Sequence, residues 1–204
     1  MPAPRPHDLL WGLASDALPE DAPAWAHAVV RSAQPVVVRR AVSVAGKVAV
    51  GLRGPRREQR LACEMALDAI TACVSPEALR GAQAASLPPL LALEQVSARL
   101  EATGLAWGPT GGTAYQLATG VAVLHDSSDL DLLLRTPEAL ARGRARDLLA
   151  ALDLAPCRID VQLETPAGAI ALREWASGAP RVLLKSSSGA RLVADPWHEQ
   201  GARS

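Results

Sequence analysis

Phenylalanine is absent from this 204-residue chain and tyrosine occurs once, which leaves aromatic residues at 3%. A core must therefore be assembled from Leu, Val and Ala, with five Trp supplying the bulky packing. Cysteine is scarce too. Cys63, Cys73 and Cys157 form an odd, widely spaced set with no C-x-x-C, which argues against a disulfide framework or a zinc site and fits a reducing compartment. Formal net charge is zero, so no global field favours nucleic acid. No apolar run approaches the ~20 residues that span a bilayer. The opening MPAPRPHDLLWG lacks the apolar core of a signal peptide. A cytoplasmic protein with neither a membrane nor a nucleic-acid partner is expected. What the chain does have, 49% hydrophobic and 21% charged residues, is the balance of a folded protein long enough for one large domain or two small ones.

Charge is uneven locally. Arg39, Arg40, Lys47, Arg53, Arg56, Arg57 and Arg60 share one segment with a single acid, Glu58. Such a run either meets an anionic partner or is a solvated face.

Periodicity divides the rest. QPVVVRRAVSVAGKVAVGLRG reads as two β runs, residues 35–44 and 47–52, joined at Ala45-Gly46. Leu61, Met65, Ala69 and Ile70 have helical spacing, and Ser75-Pro76-Glu77 has the chemistry of a helix start. The small, uncharged, Pro-containing stretch 81–90 marks a domain boundary, placed at 84/85. Beyond it a helix is predicted over 87–102, and another from Thr136-Pro137-Glu138 to about residue 152. RIDVQLE is an alternating strand with Asp160, Gln162 and Glu164 on one face. A short helix over 171–175 and a hairpin around residues 186–189 complete an α+β second half with a small mixed sheet.

The chemistry concentrates in WGPTGGTAYQLATGVAVLHDSSDLDLLLR, residues 107–135. Alternation puts Asp129 and Asp131 side by side, while Leu130, Leu132 and Leu134 face a core. Two carboxylates that close repel, raising one another's pKa, unless a cation lies between them. An oxygen-preferring divalent ion, Mg²⁺ above all, answers that need. Were Asp160 alongside, three carboxylates would form a site fit for two metals and in-line phosphoryl chemistry; the competing reading is a solvated strand face. Gly111 and Gly112 would let backbone N–H groups approach an anion, with Thr113 adding a hydroxyl and Lys185 a further phosphate contact. There is no Walker lysine and no dinucleotide-binding glycine spacing. His125 reads as structural, Asp126 with Ser127 and Ser128 as a turn, Arg135 as an ordinary strand-end charge, and Trp175 and Trp197 as core.

The helix, glycine turn, SDLDLLL and later lone Asp resemble the nucleotidyltransferase fold of the DNA polymerase β-like superfamily over residues 87–193, with 117–125 as an inserted strand pair. A wider resemblance rests on RPHDLLW, VGLRGPRREQR, WGPTGG with LATG, SDLDLLLR, DVQLET and LVADPW. Together these resemble the holo-acyl-carrier-protein synthases of malonate decarboxylase, also called phosphoribosyl-dephospho-CoA transferases. The resemblance implies a small N-terminal α/β domain (1–84) for carrier-protein or substrate docking and a C-terminal nucleotidyltransferase domain (85–204). It also implies transfer of 2′-(5″-triphosphoribosyl)-3′-dephospho-CoA to a serine of the apo acyl carrier protein of malonate decarboxylase, with release of pyrophosphate. Asp129 and Asp131 match the family's catalytic pair, and Asp160 follows from the superfamily pattern. Arg53, Arg56, Arg57 and Arg60 become candidates for docking the acidic carrier or the phosphorylated donor. Two other readings stand beside this one: a nucleotidyltransferase moving AMP from ATP to a small molecule or protein, and a non-enzymatic module whose acidic pocket holds a structural ion.

Overall fold

Leu10, Val36, Val38, Val50, Leu52 and Met65 are buried in one cluster and come from short extended segments. Hiding that single apolar face draws the segments into a sheet. The computed structural model describes residues 3–56, 58–81 and 86–198. Its first sheet comprises β1 (Leu9–Trp11), β2 (Val36–Val38), β3 (Lys47–Arg53), β4 (Arg60–Ala66) and β5 (Ala72–Val74). The strands run antiparallel in the order β4-β3-β2-β1-β5, and helix α1 (Ala24–Arg31) packs against β3. Among the described residues the amino-terminal unit is thus an antiparallel sheet with one α-helix, rather than an alternating α/β arrangement.

Two expectations change here. The segment from Leu61 to Met65 is strand, not helix: β4 pairs with β3 from Lys47↔Ala66 to Arg53↔Arg60. Leu61, Cys63 and Met65 turn to the core with a period of two, and a partner strand of matching length overrides a helical spacing that short apolar runs also satisfy. Ser75-Pro76-Glu77 does begin a helix, but only the single 3₁₀ turn Pro76–Leu79.

The second sheet runs β11-β10-β9-β8-β7-β6 once its strands are numbered. They are β6 (Trp107–Pro109), β7 (Leu130–Arg135), β8 (Ile159–Thr165), β9 (Gly168–Ala171), β10 (Val182–Ser186) and β11 (Gly189–Val193). Among the described residues its helices are α2 (Pro88–Glu101), α3 (Gly111–Thr119), α4 (Arg142–Leu152) and α5 (Leu172–Ala176). β7 and β8 are parallel and joined by α4; the other neighbours are antiparallel. Leu130, Leu132, Leu134, Ile159, Val161 and Leu163 turn one face of this pair into a core shared with α2, Trp107, Trp175 and Trp197. Each such Leu, fully buried, contributes about 1.5–3 kcal/mol. Trp175 and Trp197 are core residues as read, their rings 4.9 Å apart at 63°.

The helix expected at Thr136 begins six residues later, at Arg142. Thr136 is spent elsewhere. Its N–H and Oγ1 both donate to Glu164 O, at 2.7 and 2.9 Å, and its carbonyl accepts from Trp197 Nε1 at 2.8 Å. Residues 117–125 are no strand pair: α3 continues to Thr119, Gly120 caps it at φ 72°, and an irregular segment follows. The 84/85 junction lies outside the described residues. No helix among the described residues is long and apolar enough to cross a membrane.

The two cores remain separate clusters, and polar side chains join the units. At the centre is Arg135, 9% exposed, whose guanidinium bonds Glu77 and Glu164 and lies 3.9 Å from Asp8. Arg40 donates to Glu164 at 2.7 Å, and the His7 and Gln162 side chains meet at 2.8 Å. Arg135 is no ordinary strand-end charge. It is the buried hub of the seam.

Candidate active site

On the face of β7 that turns from the core, Asp131 is exposed whereas Leu133 and Arg135 are buried. The equivalent face of β8 presents Asp160, then Gln162 and Glu164, which are tied to the amino-terminal unit. The seam therefore covers the far ends of both strands and leaves their beginnings open. The opening is a cleft of about 930 Å³ lined by both units.

Register fixes the carboxylates. Asp131 and Asp160 are direct partners in the parallel β7–β8 pair, and Asp129 precedes Asp131 by two residues. Burial among surrounding protein raises the Asp131 pKa, with Asp160 and Asp129 adding repulsion; Arg53 and Arg60 pull the other way. Neither Asp129 nor Asp131 has a side-chain hydrogen bond or ion pair among the described residues, whereas Asp160 Oδ1 accepts from Arg158 Nε and Nη2 at 3.1 and 3.0 Å. Among the described residues no three His, Cys, Asp or Glu side chains converge closely enough to hold a metal ion. The aspartates are neighbours, not a closed ligand set.

The glycine turn proves to be the start of α3. Gly111 has φ 58°, and a Cβ there would stand 2.2 Å from Asp131 Oδ2. Only glycine lets the carboxylate lie over the helix entrance. Thr110 N–H donates to Asp131 O at 2.8 Å, fixing β7 against the turn. Thr113 is 1% exposed with its Oγ1 unpartnered among the described residues, and neither it nor Gly112 lines the cleft. Gly112 packs beneath Leu124, whose Cδ2 would lie 3.2 Å from an added Cβ.

Lys185 lines the cleft, but at its other end. It pairs with Ala169, which pairs with Glu164, which pairs with Arg135, a row four residues beyond Asp131. Three strand spacings and four residue rises separate the two backbones by roughly 20 Å. Lys185 and Gly111 thus line one cleft from well-separated elements. The basic candidates also divide. Arg53 and Arg60 line the cleft, Arg56 sits at the exposed hairpin tip 3.1 Å from Glu58, and Arg57 lies outside the described residues.

Sequence reasoning missed His7, Tyr115 and Gln162 in the cleft lining, while Arg39 of the basic run also lines it. His7 adopts φ 76°, rare for a residue with a side chain. Burial pushes its pKa down against the raising effect of the Gln162 bond, which favours the neutral imidazole. RPHD carries no periodicity that would announce this. The contacts of His7 and Arg135 span the whole chain, beyond the reach of local patterns.

Two family models cover the chain: the phosphoribosyl-dephospho-CoA transferase MdcG N-terminal domain over residues 5–76 and the corresponding C-terminal domain over residues 77–196. A Pseudomonas putida (strain W619) protein called phosphoribosyl-dephospho-CoA transferase is 64% identical over 198 residues, 97% of each chain. Proteins of the same name from Azotobacter vinelandii and Pseudomonas aeruginosa are 56% and 55% identical, covering 98% and 95% of this chain and 97% and 94% of their own. No solved structure matches.

Proposed function

The chain belongs to the phosphoribosyl-dephospho-CoA transferase family, and from that premise we propose that it attaches the 2′-(5″-triphosphoribosyl)-3′-dephospho-CoA group to a serine of the apo acyl carrier protein of malonate decarboxylase. The observation that carries this reading is the pairing of Asp131 with Asp160 in a cleft that Arg53 and Arg60 also line, with Asp129 two residues before Asp131. The carboxyl-terminal unit then acts as a nucleotidyltransferase domain.

In this reading the serine oxygen forms a bond to the α-phosphorus as the bond from that phosphorus to the β-bridging oxygen breaks. The departing pyrophosphate keeps the electron pair. Asp160 would take the serine proton on Oδ2, since Arg158 bonds Oδ1. Thr110 and Gly111 orient Asp131 from below. Positioning and charge stabilisation are what such a displacement asks of a protein, and no nucleophile of the chain's own is required.

A divalent metal fits the donors present: Asp129 and Asp131 offer hard oxygen atoms without a hydrogen bond or ion pair among the described residues. Those two would hold magnesium, which when bound neutralises the triphosphate.

The test supplies purified apo carrier protein and donor. Mass spectrometry should show the carrier gaining the prosthetic group, with one pyrophosphate per serine, and Asp129→Asn or Asp131→Asn should lower the rate roughly 10²–10³-fold or more while the fold persists. Full modification by either variant, or labelling of the carrier from α-labelled ATP in place of the donor, would refute the reading.

A further inference from the structure

Arg53 and Arg60 are the last cross-strand pair of the β3–β4 hairpin. Like charges directly opposite one another weaken a hairpin, and an anion bound between them would relieve that repulsion. Both side chains are exposed at the cleft rather than buried in a core. Both line the cleft that Asp131 and Asp160 also line, yet Asp131 has no ion-pair partner and Arg53 has neither hydrogen bond nor ion pair among the described residues. The arginines therefore stand off from the carboxylates across an open space. Arg53 and Arg60 come to that space from the first sheet and Asp131 and Asp160 from the second, an arrangement suited to a polyphosphate whose charge is shared between guanidinium groups and a carboxylate-bound cation.

We propose that Arg53 and Arg60, carried by the amino-terminal sheet, clamp the β- and γ-phosphates of the donor and hold them as the departing pyrophosphate against the carboxylates of the second sheet. This rests on the transferase reading above and assigns its leaving-group subsite. Negative charge grows on the β-phosphate oxygen as the bond to the α-phosphorus breaks, and a preorganised guanidinium pair stabilises that charge where it develops. The site is then complete only across the seam, since neither unit alone supplies both walls. Arg56, at the exposed tip and paired with Glu58, lies outside the clamp.

The test uses the full chain with magnesium and inorganic pyrophosphate, read by titration calorimetry. Arg53→Ala and Arg60→Ala should each weaken pyrophosphate binding at least tenfold, Arg53→Lys should recover part of it, and Arg31→Ala on α1 should leave it within twofold. Circular dichroism should show all four folded, because these side chains are exposed. In turnover the Arg53→Ala loss should fall on kcat, with the KM for carrier protein unchanged. Pyrophosphate affinity untouched by Arg53→Ala and Arg60→Ala, with a raised KM for carrier, would move both residues to carrier docking and overturn the clamp. Arg53-dependent pyrophosphate binding without any transfer to the carrier would uphold the clamp and defeat the substrate reading. Transfer that proceeds with clamp variants at full kcat would do the reverse.

Discussion

At the scale of single residues, Gly111 and Arg135 show opposite degrees of legibility. A Gly-Gly beside an acidic pair is a visible signal, and the structure supplies its reason: Asp131 Oδ2 occupies the space a side chain would need. Gly111→Ala should therefore cost catalysis far more than folding, because φ 58° strains the backbone by about 1–2 kcal/mol while the new methyl displaces the carboxylate. Turnover down a hundredfold or more with a modestly lowered melting temperature is the expected result. Arg135 gave no signal at all. A cation ending LDLLLR is unremarkable in sequence, and its partners Asp8, Glu77 and Glu164 lie far away along the chain.

At the scale of elements, what could be read depended on whether a segment's partner was local. The alternation in RIDVQLE needs only its own period, and β8 is where it was placed. Leu61 to Met65 satisfies two periods, and only the β3 partner decides for strand. The 3₁₀ turn Pro76–Leu79 depends on a distant fit, since a Cβ on Gly108 of β6 would stand 2.0 Å from Pro76 O. Gly108→Ala should push this turn from the sheet edge and draw Glu77 away from Arg135. A destabilisation of about 1–3 kcal/mol, read from denaturant unfolding, is expected for such overpacking.

At the scale of the whole molecule, the seam sets the cleft. Arg135→Met would remove the cation shared by buried Asp8 and by the partly buried Glu77 and Glu164, which keep Arg5 and Arg40, costing about 3 kcal/mol. Urea unfolding of the variant should show that loss together with reduced activity, since the cleft walls belong to different units. The seam should also be acid-sensitive. Burial pushes the Glu77 carboxyl up, but the hydrogen bond and charge of Arg135, with Arg5, outweigh it and hold the pKa below the ordinary value. A depressed folded-state pKa means stability that is present above the usual carboxylate range and lost as pH falls through the lower value. Asp8 runs the other way, its pKa raised by burial, so protonating it relieves a cost. Glu77→Gln should accordingly flatten the acid limb of the stability profile, and an unchanged limb would remove Glu77 from the account.

By itself the sequence determined the α+β class, the Leu core of β7, the polar face of β8 and the aspartates as the place to look, because alternation and side-chain chemistry are written residue by residue. Only the tertiary structure decided that Asp160 stands beside Asp131, that Arg53 and Arg60 line the same cleft from the other sheet, and that a buried arginine joins the two units. Those relations depend on strand register and on contacts between distant parts of the chain. They arise only when the two sheets are brought face to face.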